Sequence, residues 1–341
     1  SRIIDQYQSM LMNYNLYPDS SVLIDILKSF GHISSSGLIS IPKYGADQQA
    51  KLNKQKGLLG TLFAASWFTK AHENSLVASL DDEKARQWLN NRKHGDERAD
   101  LIGLYYDENE DSLFIQPIEV KTRDDVSDYT MKYNSNTGIT EIEGHAIDQI
   151  SSVVDILKEI FLEDSNSEDM FVAARREVLK YQIVTECFRN IHDAKWQEKW
   201  GIILKRAFKS RDEDGLKIFI SGLLIHIQLS EADNGAAEKC INPKVDDCPI
   251  EFRRLSCTEI QSQIFEEKEK PIKLDMRDLS GKKGKNAKQE IIQNSQSFPT
   301  DNEINISDIE DEPVNNDEVQ VAESTNLVDE NQDKVDSAAD P

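Results

Sequence analysis

The chain has 341 residues, a formal net charge of −22 and no apolar run near twenty residues, so no membrane-spanning helix is expected and no membrane partner with it. The acidity is uneven: Thr300 to Pro341 holds fourteen Asp or Glu against the single Lys334, a net −13, which leaves −9 for the rest. A body this mildly acidic neither supports nor excludes a nucleic-acid partner, because local basic patches and metal ions can still gather phosphate.

Cys187, Cys240, Cys248 and Cys257 form no Cys-x-x-Cys pair and have no His at zinc-finger spacing, which argues against structural zinc. With no secretory signal pattern, the expected compartment is the cytoplasm with reduced thiols. The chain starts at Ser1 without a methionine and ends in an acidic stretch, which points to a segment of a longer polypeptide.

In chain order, Ile3, Tyr7, Met10 and Leu11 make one apolar stripe. Val22, Leu23, Ile26, Leu27 and Phe30 make another, closed by Gly31 and followed by a short strand at Leu38 to Ile41. Residues 1–55 therefore read as a helical lead-in packed on the core, with no chemistry of their own. Lys56 to Lys70 is nearly all apolar on one helix and must be buried. Asp81 to Asn91 reads as a polar helix, after which Arg92, Lys93, His94 and Arg98 form a basic approach to Asp100.

Arg98 to Arg123 is the stretch with chemistry in it. Leu101 to Leu104 and Leu113 to Lys121 are strand-like runs around a polar turn at Asp107 to Ser112. Side chains alternate faces along a strand, so Glu119 and Lys121 share a face and Val120 takes the other. A hairpin would bring Asp100 beside them. Two carboxylates and a lysine suit a hard cation such as Mg2+ or Mn2+: Asp100 and Glu119 as ligands, Lys121 orienting water or neutralising phosphate. Metal-bound water is a nucleophile at neutral pH, so the expected reaction is phosphodiester hydrolysis. Arg98, Thr122 and Arg123 flank the site as candidate substrate contacts. Pro117 within the second run predicts an edge strand or a bulge.

A polar loop is expected from there to Gly144. Ala146 to Phe161 then reads as a strong amphipathic helix, with His145 just before it as a candidate phosphate ligand. Met170 to Arg189 and Trp196 to Lys209 read as further helices with basic sides. Leu216 to Leu229 is β-rich and broken at Ser221-Gly222, either one bent strand or a hairpin, with His226 as a core or edge residue. Ser230 onward reads as loop, then a strand at Glu251 to Leu255 and a helix from Thr258 to Glu267. Residues 271–341 have the polar, acidic, aromatic-poor composition of a disordered linker.

Arg-Ala-Asp-Leu-Ile-Gly-Leu, then Ile-Glu-Val-Lys-Thr-Arg, then Ala-Ile-Asp-Gln-Ile resembles the PD-(D/E)XK nuclease superfamily, with Ala99 where the family's name has proline. The resemblance implies an α/β fold over residues 56–270: a restriction-endonuclease-like mixed sheet flanked by helices. It implies catalysis by Asp100, Glu119 and Lys121, a metal held by Asp100 and Glu119, and Gln149 turned to the site from the following helix. The family often draws a further glutamate from its first helix; Lys56 to Lys70 has no acid, and Glu73 is the nearest. With Ala-Ala-Arg-Arg-Glu-Val-Leu further on, the order of elements is similar to the region ahead of the motor in bacterial DptH-type restriction proteins. That implies defence against foreign DNA beside a HerA/FtsK-like ATPase. No Walker motif occurs in the 341 residues, so such a translocase would lie elsewhere on a longer chain or on a partner. The residues leave open a catalytically silent DNA-binding or assembly module, a nuclease acting on RNA or repair intermediates, and an oligomer.

Overall fold

The computed structural model describes residues 2–33, 48–80, 98–122, 128–162, positions 170, 174, 177, 178, 180–183 and 185, then 194–207, 215–229, 235–245, 248–277 and 279. Contacts divide the chain into two units, Ser1–Ile291 and Ile292–Pro341, and every described residue belongs to the first. The strand expected at Leu38 to Ile41, the helix at Asp81 to Asn91 and the linker beyond residue 279 lie outside the described residues.

The architecture is mixed α/β, a nine-stranded mixed sheet with helices on both faces. Helices α1 (Arg2–Met12), α2 (Ser20–Ile33) and α3 (Gln48–Ala71) come first. Strands β1 (Ser75–Ser79), β2 (Leu101–Asp107), β3 (Ser112–Lys121), β4 (Thr130–Asn134) and β5 (Ile139–Glu143) follow. Helices α4 (His145–Phe161) and α5 (Ala194–Ala207) precede β6 (Lys217–Ile220), β7 (Gly222–Gln228), β8 (Ala236–Asn242) and β9 (Cys248–Ser256). The sheet runs β1-β2-β3-β7-β9-β8-β5-β4, with β6 beside β3. The pairs β3/β7 and β7/β9 are parallel, so three central strands point the same way.

Each face of the sheet carries its own core. Tyr7, Leu11, Leu23 and Ile26 of the lead-in join Leu59, Leu62, Phe63 and Trp67 of α3 over Ile118, Leu223 and Ile225. Ile147, Ile150, Val153, Val154 and Leu157 of α4 cover Leu113, Ile115, Leu224 and Phe252 on the other side. The stripe expected on α4 is thus buried where its periodicity puts it. The described residues from 170 to 185 are helical, and Ile183 reaches this second core. No described helix is long and apolar enough to cross a membrane.

Four elements depart from expectation. The polar stretch before Gly144 contains the β4–β5 hairpin, and the stretch after Ser230 contains β8, an inner strand whose Cys240 and Ile241 are buried between β9 and β5. Leu216 to Leu229, by contrast, takes one of its two expected forms, one bent strand, since β6 and β7 both run parallel to β3. The strand bearing Pro117 is neither edge nor bulge. β6 pairs with residues 112–115 and β7 with 118–121, so the proline stands opposite the interruption at Ser221, where an N–H is not required. The helix expected from Thr258 is a single α-turn, Cys257–Glu259, capped by Ser256 and Glu259, running into a π-helical turn, Ile260–Phe265.

Beyond it, residues 271–277 pack on the body: Met276 is buried, and Arg277 pairs with Glu110 and Asp275. Two glycines let layers close up. A Cβ on Gly103 would lie 2.4 Å from the Phe68 ring, and one on Gly60 1.9 Å from Thr122 Cγ2. Phe68 is fully buried and cannot swing into solvent. Gly103→Ala should therefore destabilise the fold by about 1–3 kcal/mol, the range for core overpacking, read as a lower midpoint in urea at unchanged slope.

Candidate active site

The hairpin forms with Leu101 opposite Ile118 and Gly103 opposite Gln116, and one more step of that register sets Asp100 against Glu119. Asp100 ends the approach rather than lying in β2, and its carboxylate Oδ2 accepts the backbone N–H of Val120 at 2.8 Å. Its own carbonyl takes the N–H of Leu80 at 2.9 Å, which ties the segment to β1. The carboxylate is therefore held at the backbone step between Glu119 and Lys121, the two residues with which the sequence groups it.

Glu119 is only 3% exposed, and its Oε1 lies 2.9 Å from Lys121 Nζ. The same ammonium is 3.6 Å from Asp128 Oδ2. Burial acts to lower the Lys121 pKa, but Glu119, with Asp128 and Asp100, outweighs it and holds the ammonium above its usual value. Lys121 is thus a fixed cation at neutral pH, suited to neutralising phosphate and not to taking a proton.

Around this centre the nominated contacts separate. Gln149 lies one turn into α4, and its Nε2 donates to the carbonyl of Arg98 at 3.1 Å, two residues before Asp100. Its Oε1 is buried and has no hydrogen-bond partner among the described residues. Gln149 therefore holds the segment ahead of Asp100 with one end, while its other end is buried. His145 is exposed at the first position of α4, behind Gly144. Gly144 has φ 130°, and a Cβ there would lie 2.6 Å from the Asp128 carbonyl. That carbonyl accepts the N–H of Ala146 at 3.2 Å, so the helix start is seated on Asp128. Thr122 packs over Gly60 of α3, on the face opposite Glu119 and Lys121. Arg123 lies outside the described residues. Glu73 is exposed beyond the end of α3, 4.0 Å from Lys270. It is thirteen residues past Gly60, about 20 Å along a helix at 1.5 Å per residue.

Three residues had no local signal. Asp128 sits in what reads as loop. Tyr129 is 5% exposed, its hydroxyl 2.7 Å from His226 Nδ1, and His226, 1% exposed, is beside Lys121 in the β3/β7 register. Arg254 follows His226 across β9. His226 is thus core, on a central strand. Burial pushes the Tyr129 phenol up to about 12, with Arg254 pulling the other way, so the hydroxyl stays protonated through neutral pH.

Among the described residues no group of three His, Cys, Asp or Glu side chains is gathered to hold a metal. Asp100 and Glu119 are the two carboxylates that could serve a cation here; a Mg2+ or Mn2+ held by two carboxylates would take the rest of its shell from water and substrate phosphate.

Comparison with protein-family models, with curated proteins and with solved structures returns no match for this chain.

The charge arrangement sets a sign for pH dependence. A lysine whose pKa is raised in the fold contributes stability that is complete below its ordinary value of 10.5 and lost as pH rises beyond it. Lys121→Met should lower the unfolding midpoint at pH 7. The gap between parent and variant should narrow on titration into the alkaline range, as followed by thermal melts from pH 7 to 11. Tyr129→Phe keeps the ring but removes the hydroxyl from a buried partner; a loss of about 1–3 kcal/mol in urea unfolding is expected.

Proposed function

We propose that this chain is a Mg2+- or Mn2+-dependent nuclease of the PD-(D/E)XK type. On this reading it cleaves DNA in a bacterial restriction or anti-phage system, supplied by a HerA/FtsK-like ATPase on the same longer chain or as a partner. The observation that carries the reading is the Asp100 carboxylate on the Val120 N–H, the backbone step between Glu119 and Lys121, whose side chains pair with each other. The order of elements supports it: an apolar helix, an antiparallel hairpin with the acids at its open end, a helix bearing Gln149, then a strand parallel to β3.

The residues divide the work by their chemistry. Asp100 and Glu119 would hold the cation, which supplies a water of lowered pKa and positive charge for the phosphate. Lys121 sits where its charge offsets that developing on the phosphate oxygens. Gln149, donating to the Arg98 carbonyl, would hold the segment that carries Asp100 in place. In hydrolysis the water oxygen bonds to phosphorus, one ester P–O bond breaks, and the departing alkoxide takes a proton from solvent.

A second reading has its own support. Lys121 occupies Glu119 Oε1, and among the described residues no three metal-ligating side chains are gathered, which suits a nuclease-fold module that binds or assembles without cutting.

Cleavage separates the two. Plasmid and linear DNA, with RNA as a further substrate, should be incubated with Mg2+ or Mn2+ and the parent, Asp100→Ala or Lys121→Ala. The nuclease reading expects parent cleavage of DNA and a fall of about 10²–10³ in rate for Lys121→Ala, the cost of one preorganised charge in a protected site, with circular dichroism unchanged. A parent that binds DNA and cuts nothing under either metal identifies the module. Cleavage of RNA alone moves the substrate class.

A further inference from the structure

Resting on that nuclease reading, we propose that Asp128 governs entry of the metal: when a divalent cation claims Glu119, the Lys121 ammonium passes from Glu119 to Asp128. The distances set up the hand-over. Lys121 Nζ lies 2.9 Å from Glu119 Oε1 and 3.6 Å from Asp128 Oδ2, so both carboxylates are within ion-pair reach and a small shift makes the second contact as short as the first. The charge must have somewhere to go. A divalent cation and an ammonium repel each other at one carboxylate oxygen, and a desolvated ammonium without an anion is costly. The Lys121 side chain is only 18% exposed, so water alone is a poor substitute for Glu119.

The backbone that carries the receiving carboxylate is anchored on both sides. The Asp128 carbonyl accepts the Ala146 N–H at the start of α4, and Gly144 closes on it so tightly that a Cβ there would lie 2.6 Å away. The next residue, Tyr129, is buried, with its hydroxyl 2.7 Å from His226 Nδ1 and its ring 5.4 Å from Phe252. His226 is the β7 residue paired with Lys121 itself. Contacts to α4, β7 and β9 thus fix the segment from which Asp128 reaches the ammonium, and the lysine, on the last residue of β3, is the partner that moves.

Asp128 serves the lysine and not the metal. It shares the ammonium with Glu119, yet among the described residues no three acidic, His or Cys side chains are gathered to hold an ion. At neutral pH the lysine enters the exchange as a cation: burial acts to lower its pKa, but Glu119, with Asp128 and Asp100, outweighs burial and holds the ammonium above its usual value. An ammonium that keeps its proton needs an anion at each end of its path, and the two carboxylates within 4 Å of Nζ supply them. Asp128 is therefore a positioning residue that acts through Lys121.

The test is Mn2+ binding, followed by the free-ion signal in electron paramagnetic resonance, for the parent, Asp128→Asn, Lys121→Met and the double variant, with folding checked by circular dichroism. Lys121→Met should bind Mn2+ more tightly than the parent, because the competing ammonium is gone. Asp128→Asn should weaken binding about tenfold, since the displaced ammonium has no carboxylate to receive it. In the Lys121→Met background the same substitution should change binding by less than about threefold, because the residue through which it acts is absent. Asp128→Ser repeats both comparisons with a smaller side chain. Equal losses in the two backgrounds make Asp128 a direct partner of the metal or part of the scaffold, and overturn the hand-over. Unchanged Mn2+ binding in Asp128→Asn overturns it too, and in either case a parent that binds Mn2+ and cuts DNA leaves the nuclease standing. A parent that neither binds Mn2+ nor cuts overturns both.

Discussion

A carboxylate that is 3% exposed in the middle of a sheet sets the terms for everything around it. An unpaired buried charge costs several kcal/mol, and Lys121, sharing a face with Glu119 at the end of the same strand, compensates it. That requirement fixes the register of β3, since a slip of one residue would send both side chains to the α3 side, against Leu59 and Phe63. Asp128 then balances the ammonium from a second segment, its backbone carbonyl seats α4, and Asp100 ties the open end of the hairpin to the Val120 N–H. Four segments distant in sequence thus converge on one charge.

How much of this could be read beforehand follows from the range of each signal. The Glu119–Lys121 pairing was legible because period-two alternation is local, and the helix from 145 to 161 because its stripe of Ile, Val and Leu has a period of 3.6. Asp100 was reachable through the short turn at Asp107 to Ser112, which leaves little choice of pairing. β8 was not legible: Ala236 to Asn242 is as polar as a loop and becomes a strand by hydrogen-bonding to β9 and β5. The β4–β5 hairpin fails for a similar reason, its outer strand being mostly exposed. Thr122 shows the limit of proximity in sequence, since the residue after Lys121 must face the other way.

The row Lys121, His226, Arg254 illustrates a stronger limit. Its members come from three strands separated by about a hundred and by twenty-eight residues, and only the parallel register aligns them. Nothing local distinguishes Arg254 from Arg253, yet the two alternate along β9 and it is Arg253 that is stacked on Trp67. The Pro117 signal was real but pointed to the wrong partner. Proline does mark a gap in a ladder, and the gap belongs to the neighbouring strand, where Gln116 bridges to Ser221 Oγ at 3.1 Å.

On the proposed nuclease reading, the pair that stabilises the fold is also the pair that must be parted for chemistry. Lys121 Nζ lies 2.9 Å from Glu119 Oε1, so a cation arriving at Glu119 would compete with the ammonium for that oxygen. The exchange is feasible because Asp128, 3.6 Å away, offers the ammonium a second carboxylate, and because an incoming phosphate offers a third anion. Charge neutrality favours the two arriving together. Cation alone would crowd Lys121, and phosphate alone would face Asp100 and Glu119, whereas the combination balances every group at the strand end. The coupling of metal to substrate is then a property of the ion pair already present, and it explains how a site with two carboxylates could hold a divalent ion when the nucleic acid supplies the rest of its shell.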